Sequence, residues 1–127
     1  MPARIKAAIP KSNGETLILR LGDDGCLALY PHAEFDQLLK QINALSDRDQ
    51  LNRQIKRAFF ESVTEIELDS AGRFLVPRNF LQAVGIDKDA YVNGMGPIVE
   101  IWNPDTYNAN RIEPGTGLTK MMDQTIS

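Results

Sequence analysis

The sequence predicts an α+β fold in which short hairpins alternate with short helices, and three observations carry that expectation. Apolar runs of strand length flank turn-forming segments at Gly22–Gly25, Asp69–Gly72 and Gly94–Pro97, the mark of hairpins. Phe35, Leu38, Leu39, Ile42 and Leu45 recur at helical spacing, giving one apolar face with the rest solvated. The chain also repeats itself. Residues 2–9 parallel residues 77–84, Cys26–Tyr30 parallels Ile98–Trp102, and Phe35 matches Tyr107.

Taken in order, Pro2–Ile9 reads as a short helix with proline in its first turn and Ile5, Ala8 and Ile9 on one face. Pro10–Glu15 contains Ser-Asn-Gly and reads as a loop. Thr16–Leu21 and Cys26–Tyr30 form a hairpin across the Gly22–Gly25 turn, and Pro31 ends it and opens a helix. Ser46, three residues before Asp49, resembles a weak capping box and predicts a second helix over about Asp47–Phe60. Leu51, Ile55, Ala58 and Phe59 would be its inner face, with Arg48, Arg53, Lys56 and Arg57 on a solvated basic side. A hairpin over Glu67–Pro77 follows, then a helix over Arg78–Val84 with Gly85 as its left-handed cap. Ala90–Asn93 and Ile98–Trp102 make a further hairpin, and Pro104–Asn110 a final short helix. From Glu113 onward apolar periodicity is lost, so a mobile tail is expected over 113–127.

Composition bounds the chemistry. A chain of 127 residues, 43% hydrophobic and 24% charged, has the make-up of a soluble globular protein. Its apolar runs fall short of the roughly 20 residues of a membrane span, and no apolar signal core follows Met1-Pro2-Ala3-Arg4. The single cysteine, Cys26, fits a reducing cytoplasm and a buried apolar position. His32 is the only histidine and reads as a surface or capping residue. No serine or cysteine sits in a nucleophile motif, no Cys/His cluster offers metal ligands, and neither glycine-rich turn has the pattern of a phosphate-binding loop. The expectation is therefore no enzyme, no cofactor, no metal and no small-molecule substrate.

Residues Glu67–Pro77 carry the most specific signal. Asp69 can accept hydrogen bonds from the amides of its own turn, Gly72 can adopt positive φ, and Arg73 leaves the turn at a fixed point. An arginine on a stiff tip suits a phosphate or a base edge, although an ordinary turn with an Asp69–Arg73 surface pair fits the same spacing. Net charge is −3, so nucleic-acid binding would need a local patch repeated by assembly.

Asp69-Ser70-Ala71-Gly72-Arg73 matches a D-x-x-x-R motif, and Asp24–Pro31 and Glu100–Trp102 match the hairpins that follow it. On these residues the chain, over about 2–110, resembles the MraZ family of bacterial transcriptional regulators, within the AbrB-like swapped-hairpin superfamily. The resemblance implies two AbrB-like β-barrel-type repeats with a helical hairpin inserted between them. The first, N-terminally incomplete, would span 1–45, the connecting helix 46–62, the second repeat 63–112 and the tail 113–127. It also implies a sequence-specific regulator of cell-division and cell-wall genes, cytoplasmic and nucleoid-associated, that represses by binding promoter repeats in double-stranded DNA as a ring-like homo-oligomer. Asp69 would shape the turn, Arg73 would contact DNA, and Ser70 and Arg78 would touch phosphates. The family's usual first D-x-x-x-R motif is missing ahead of Pro2-Ala3-Arg4-Ile5. A start placed late is favoured over a truncated version, because Met1 falls where a strand residue is expected. The competing expectation is an oligomeric protein-interaction module that does not touch DNA.

Overall fold

The computed structural model describes residues 3–6 and 16–126, the former as backbone. The α+β expectation holds. Five antiparallel strands form the main sheet: β2 (Thr16–Leu21), β3 (Leu27–Tyr30), β4 (Val63–Glu67), β6 (Tyr91–Met95) and β7 (Ile98–Trp102). Their order is β4-β2-β3-β7-β6. β1 (Ala3–Lys6) pairs with β5 (Arg73–Val76) in a separate two-stranded sheet.

The internal repeat sets the centre of the main sheet. β3 and β7, the matching segments of the two units, pair with Leu27 opposite Ile101, Ala28 opposite Glu100 and Leu29 opposite Val99. Sequence-equivalent residues thus exchange places about a local two-fold axis at Ala28–Glu100. The aromatic partners repeat as well. Tyr30 meets Phe35 edge-on at 6.1 Å and 75°, and Trp102 meets Tyr107 at 5.6 Å and 69°.

Period-two alternation splits the strand side chains between two cores. Leu17, Leu19, Leu27, Leu29, Ile66, Val99 and Ile101 pack with Phe74 and Val76 of β5 and with Phe80 and Leu81 of α3 (Arg78–Ala83). Ile18, with partly buried Tyr30 and Val63, belongs to a second cluster that includes Phe35 of α1 (His32–Asn43) and Phe59 of α2 (Gln50–Glu61). Those two rings stack at 5.8 Å and 17°. Gly85 caps α3 at φ 71°. The amides of Gly85 and Ile86 reach back to the carbonyls of Gln82 and Leu81 at 3.2 and 2.9 Å, a Schellman ending. Asn103 caps α4 (Pro104–Asn110), accepting from the Asp105 amide at 2.8 Å, and its amide donates to the Gly85 carbonyl at 2.6 Å.

Several elements depart from the sequence expectations. Ala3–Lys6 is extended, not helical: Ala-Arg-Ile-Lys alternates with period two, and the edge of β5 supplies ladder partners that a helix of one turn would lack. The rest of the expected Pro2–Ile9 helix and the Pro10–Glu15 loop lie outside the described residues. Asp49, not Ser46, caps α2, accepting from the Leu51 amide at 2.8 Å. Ser46 instead accepts from the Arg48 amide at 3.2 Å, within the turn that precedes the helix. Of the expected inner face of α2 only Phe59 is buried, while Leu51 and Ile55 are 61% and 40% exposed. Most of the expected tail is helical, as α5 (Thr116–Ile126), and none of its residues is buried. The strands of the Glu67–Pro77 hairpin share a turn but no ladder, since β4 pairs with β2 and β5 with β1.

Removing Phe59 opens a hole beside Phe35 and Ile18. Phe59→Ala should lower unfolding free energy by about 3–5 kcal/mol in urea titration; a loss below about 1 kcal/mol would mean that α2 is not seated on the sheet.

Candidate nucleic-acid interface

The β4–β5 turn is shaped by one carboxylate. Asp69 Oδ1 accepts from the amides of Ala71 at 2.9 Å and Arg73 at 2.8 Å, and Oδ2 accepts from Arg73 Nε at 3.1 Å. The backbone closes the same five residues, with the Asp69 amide donating to the Arg73 carbonyl at 2.7 Å and the Gly72 amide to the Asp69 carbonyl at 3.0 Å. Gly72 sits at φ 76° with open space where a Cβ would stand. Its glycine therefore answers the left-handed backbone and not crowding.

Strand alternation orients the exit. Phe74 and Val76 point into the core, so Arg73 and Leu75 take the exposed face. The Arg73 side chain keeps 45% of its surface. Among the described residues only its Nε is hydrogen-bonded, which leaves the Nη edge for a bidentate acceptor. Ser70 is exposed at the tip, next to Asp69.

The expected site residues do not all meet. Asp69, Ser70 and Arg73 share the turn, whereas Arg78 is exposed in the first turn of α3, at the far end of β5. At a rise of about 3.3 Å per residue it stands roughly 16 Å along the chain from Arg73. It would meet a different part of any duplex from the one at the tip. The strand register puts Lys6 opposite Arg73, a cation the sequence reading missed because it placed that segment in a helix. Its only signal is the alternation of Ala3-Arg4-Ile5-Lys6.

Beside the turn, where β4 and β5 separate, a groove of about 390 Å³ is walled by Glu65, Glu67 and Asp69 among others, Arg73 being the cation among its described lining residues. Among its described lining residues carboxylates outnumber the cation, which disfavours a phosphate there. The tip is the better seat.

The relatives agree with the part of the chain that builds this turn. The MraZ protein family model matches residues 59–113, from the end of α2 through α4. Transcriptional regulator MraZ of Cytophaga hutchinsonii is 32% identical over 127 residues, covering all of this chain and 84% of that protein. The transcriptional regulator MraZ of Symbiobacterium thermophilum is 32% identical over 124 residues, 98% of this chain and 87% of its own. That of Alcanivorax borkumensis is 38% identical over 108 residues, 84% of this chain and 74% of its own. The chain belongs to the MraZ family.

In this family member the turn carries its own titration. The Arg73 amide hydrogen bond is the largest influence; desolvation, the next, opposes it, but the Ala71 amide and the Arg73 charge add to the first and hold the Asp69 carboxyl below the usual 3.8. A depressed folded-state value means that Asp69 stabilises the turn above its ordinary pKa and loses that effect as pH falls through the folded value. Carboxyl-carbon NMR should give a midpoint below 3.8 for Asp69, with the Ala71 and Arg73 amides titrating in step. A midpoint at or above the ordinary value would show that the clamp does not form in solution.

Proposed function

We propose that this protein is a sequence-specific, DNA-binding transcriptional regulator of the MraZ type, with the Asp69-clamped turn presenting Arg73 to double-stranded DNA. The observation that carries this reading is the turn itself: one carboxylate engages two amides and the guanidinium Nε, while the Arg73 side chain keeps 45% of its surface and its Nη atoms take no hydrogen bond among the described residues. A bidentate guanidinium suits the O6 and N7 of a guanine or a phosphate. The names of the relatives, each a transcriptional regulator, support the same reading.

On this reading Ser70 adds a phosphate contact at the tip, and Arg78 adds one to a separate stretch of backbone. The chain divides into a first AbrB-like repeat over 1–45, a connecting segment over 46–62, a second repeat over 63–112 and a terminal segment over 113–127. The local two-fold relation of β3 and β7 supports two swapped-hairpin repeats. Because net charge is −3, one turn gives a weak contact. A ring-like homo-oligomer that offers the turn many times would gain affinity through effective concentration on promoter repeats. The protein would act in the cytoplasm, on the nucleoid, repressing cell-division and cell-wall genes.

A second reading, an oligomeric interaction module without DNA binding, draws on the acidic groove and on exposed apolar side chains of α2 and α5, among them Leu51, Phe60, Met121 and Ile126.

Arg73→Ala separates the two. In fluorescence anisotropy with a promoter fragment carrying tandem repeats, it should weaken binding by at least about 1–3 kcal/mol per contact. As an exposed substitution it should move the melting temperature by only a few degrees. Binding equal to that of the parent would remove Arg73 from the interface, and binding that does not weaken with added salt would argue against phosphate contact altogether.

A further inference from the structure

The duplicated units differ where their aromatic pairs meet the following helix. Phe35 and Tyr107 are equivalent, so Leu38 and Leu39 correspond to Asn110 and Arg111. In the first unit both leucines are partly buried in the cluster that α2 completes through Phe59. In the second unit the space is open. Asn110 and Arg111 line a cavity of about 240 Å³ together with Trp102, Tyr107 and Asp24.

Its aromatic walls are braced by neighbours. Trp102 is only 5% exposed, and its indole Nε1 donates to Glu100 Oε1 at 3.0 Å. Tyr107 stands edge-on to Trp102 and is backed by Tyr91, stacked at 4.3 Å and 30°. Arg111 is the first residue past α4, in extended conformation at φ −77° and ψ 150°. Asp24 lies in the β2–β3 turn, where Arg20 takes the neighbouring Asp23 at 3.2 Å instead. The ion pairs among the described residues join Arg20 to Asp23, Lys56 to Asp47 and Arg73 to Asp69. Asp24 and Arg111 belong to none of them, so opposite charges line one cavity without closing on each other.

That arrangement selects a ligand class. A simple anion would meet Asp24 and a simple cation would meet Arg111, whereas a molecule bearing both charges a few ångströms apart satisfies both. Asn110 Nδ2 donates to the Thr106 carbonyl at 2.8 Å, which holds the amide in place and leaves its Oδ1 to accept from an ammonium. The indole and phenol rings suit an aliphatic group, and their faces attract an ammonium. The volume holds on the order of eight water molecules at about 30 Å³ each, the space of a molecule of roughly six to nine heavy atoms. We propose that this cavity binds a free α-amino acid with a short aliphatic side chain, its ammonium toward Asp24 and its carboxylate toward Arg111. The inference is independent of DNA binding by the turn.

Trp102 is the only tryptophan, so its emission reports the cavity directly in the full chain without DNA. Titration with L-alanine and L-valine should give a saturable change that propionate and ethylamine do not reproduce at equal concentration. Asp24→Asn and Arg111→Gln should each weaken alanine binding about fivefold, as the loss of a solvent-exposed charge pair would. Both positions are on the surface, and unchanged far-ultraviolet circular dichroism checks that each variant folds; Asn110→Ala serves as a third variant should either fail. The proposal is overturned by no saturable response up to about 50 mM, where even a millimolar ligand would saturate. It is equally overturned by the same response to propionate or ethylamine, or by parent-like binding in the folded variants.

Discussion

The ladder between β3 and β7 is the constraint from which the other placements follow. Leu27, Leu29, Val99 and Ile101 are at most 5% exposed, so a shift of one residue would turn these apolar side chains to the opposite face. With that register held, β2 is fixed by its hairpin to β3, and β4 by its pairing to β2, from Thr16 opposite Glu67 to Arg20 opposite Val63. β4 then ends at the turn that carries Arg73. A site on an exposed loop thus inherits its position from the most buried strands of the molecule.

The electrostatics of the turn balance two demands. Asp69 must stay ionised to hold the Ala71 and Arg73 amides, yet its charge lies beside the guanidinium that the proposed function gives to DNA. Pairing through Nε eases this, since it orients the side chain while the Nη atoms keep their hydrogen-bonding capacity among the described residues. The cost falls on net attraction, because Glu65 and Glu67 line the groove beside Arg73 and offset part of its charge. On the proposed function, recognition at such a tip would rest on geometry and on repetition more than on long-range steering.

Local chemistry was legible in the sequence wherever neighbours along the chain decide the structure. The Asp69–Gly72 turn, the Gly85 cap, the proline-opened α1 and the hairpin of β6 and β7 all follow from side chains within a few residues. The repeat was legible too, because equivalent residues pair with each other in β3 and β7. What failed depended on distant partners. Ala3–Lys6 becomes a strand because β5, some seventy positions later in the sequence, offers an edge. Leu51 and Ile55 stay exposed because only the C-terminal end of α2 reaches the sheet, although their spacing matches an inner face. For the candidate site, Asp69, Ser70 and Arg73 stand together as neighbours do. Arg78 is carried away by the length of β5, a distance that motif matching does not measure.

The most direct measurement is two-dimensional nitrogen–proton NMR of the arginine side chains and turn amides as a repeat-containing duplex is added. The account predicts that the Arg73 Nε and Nη signals and the amides of Ser70–Arg73 shift first and most, while those of α2 stay in place. Shifts confined to α2 or α5, with the Arg73 signals unmoved at saturation, would contradict it.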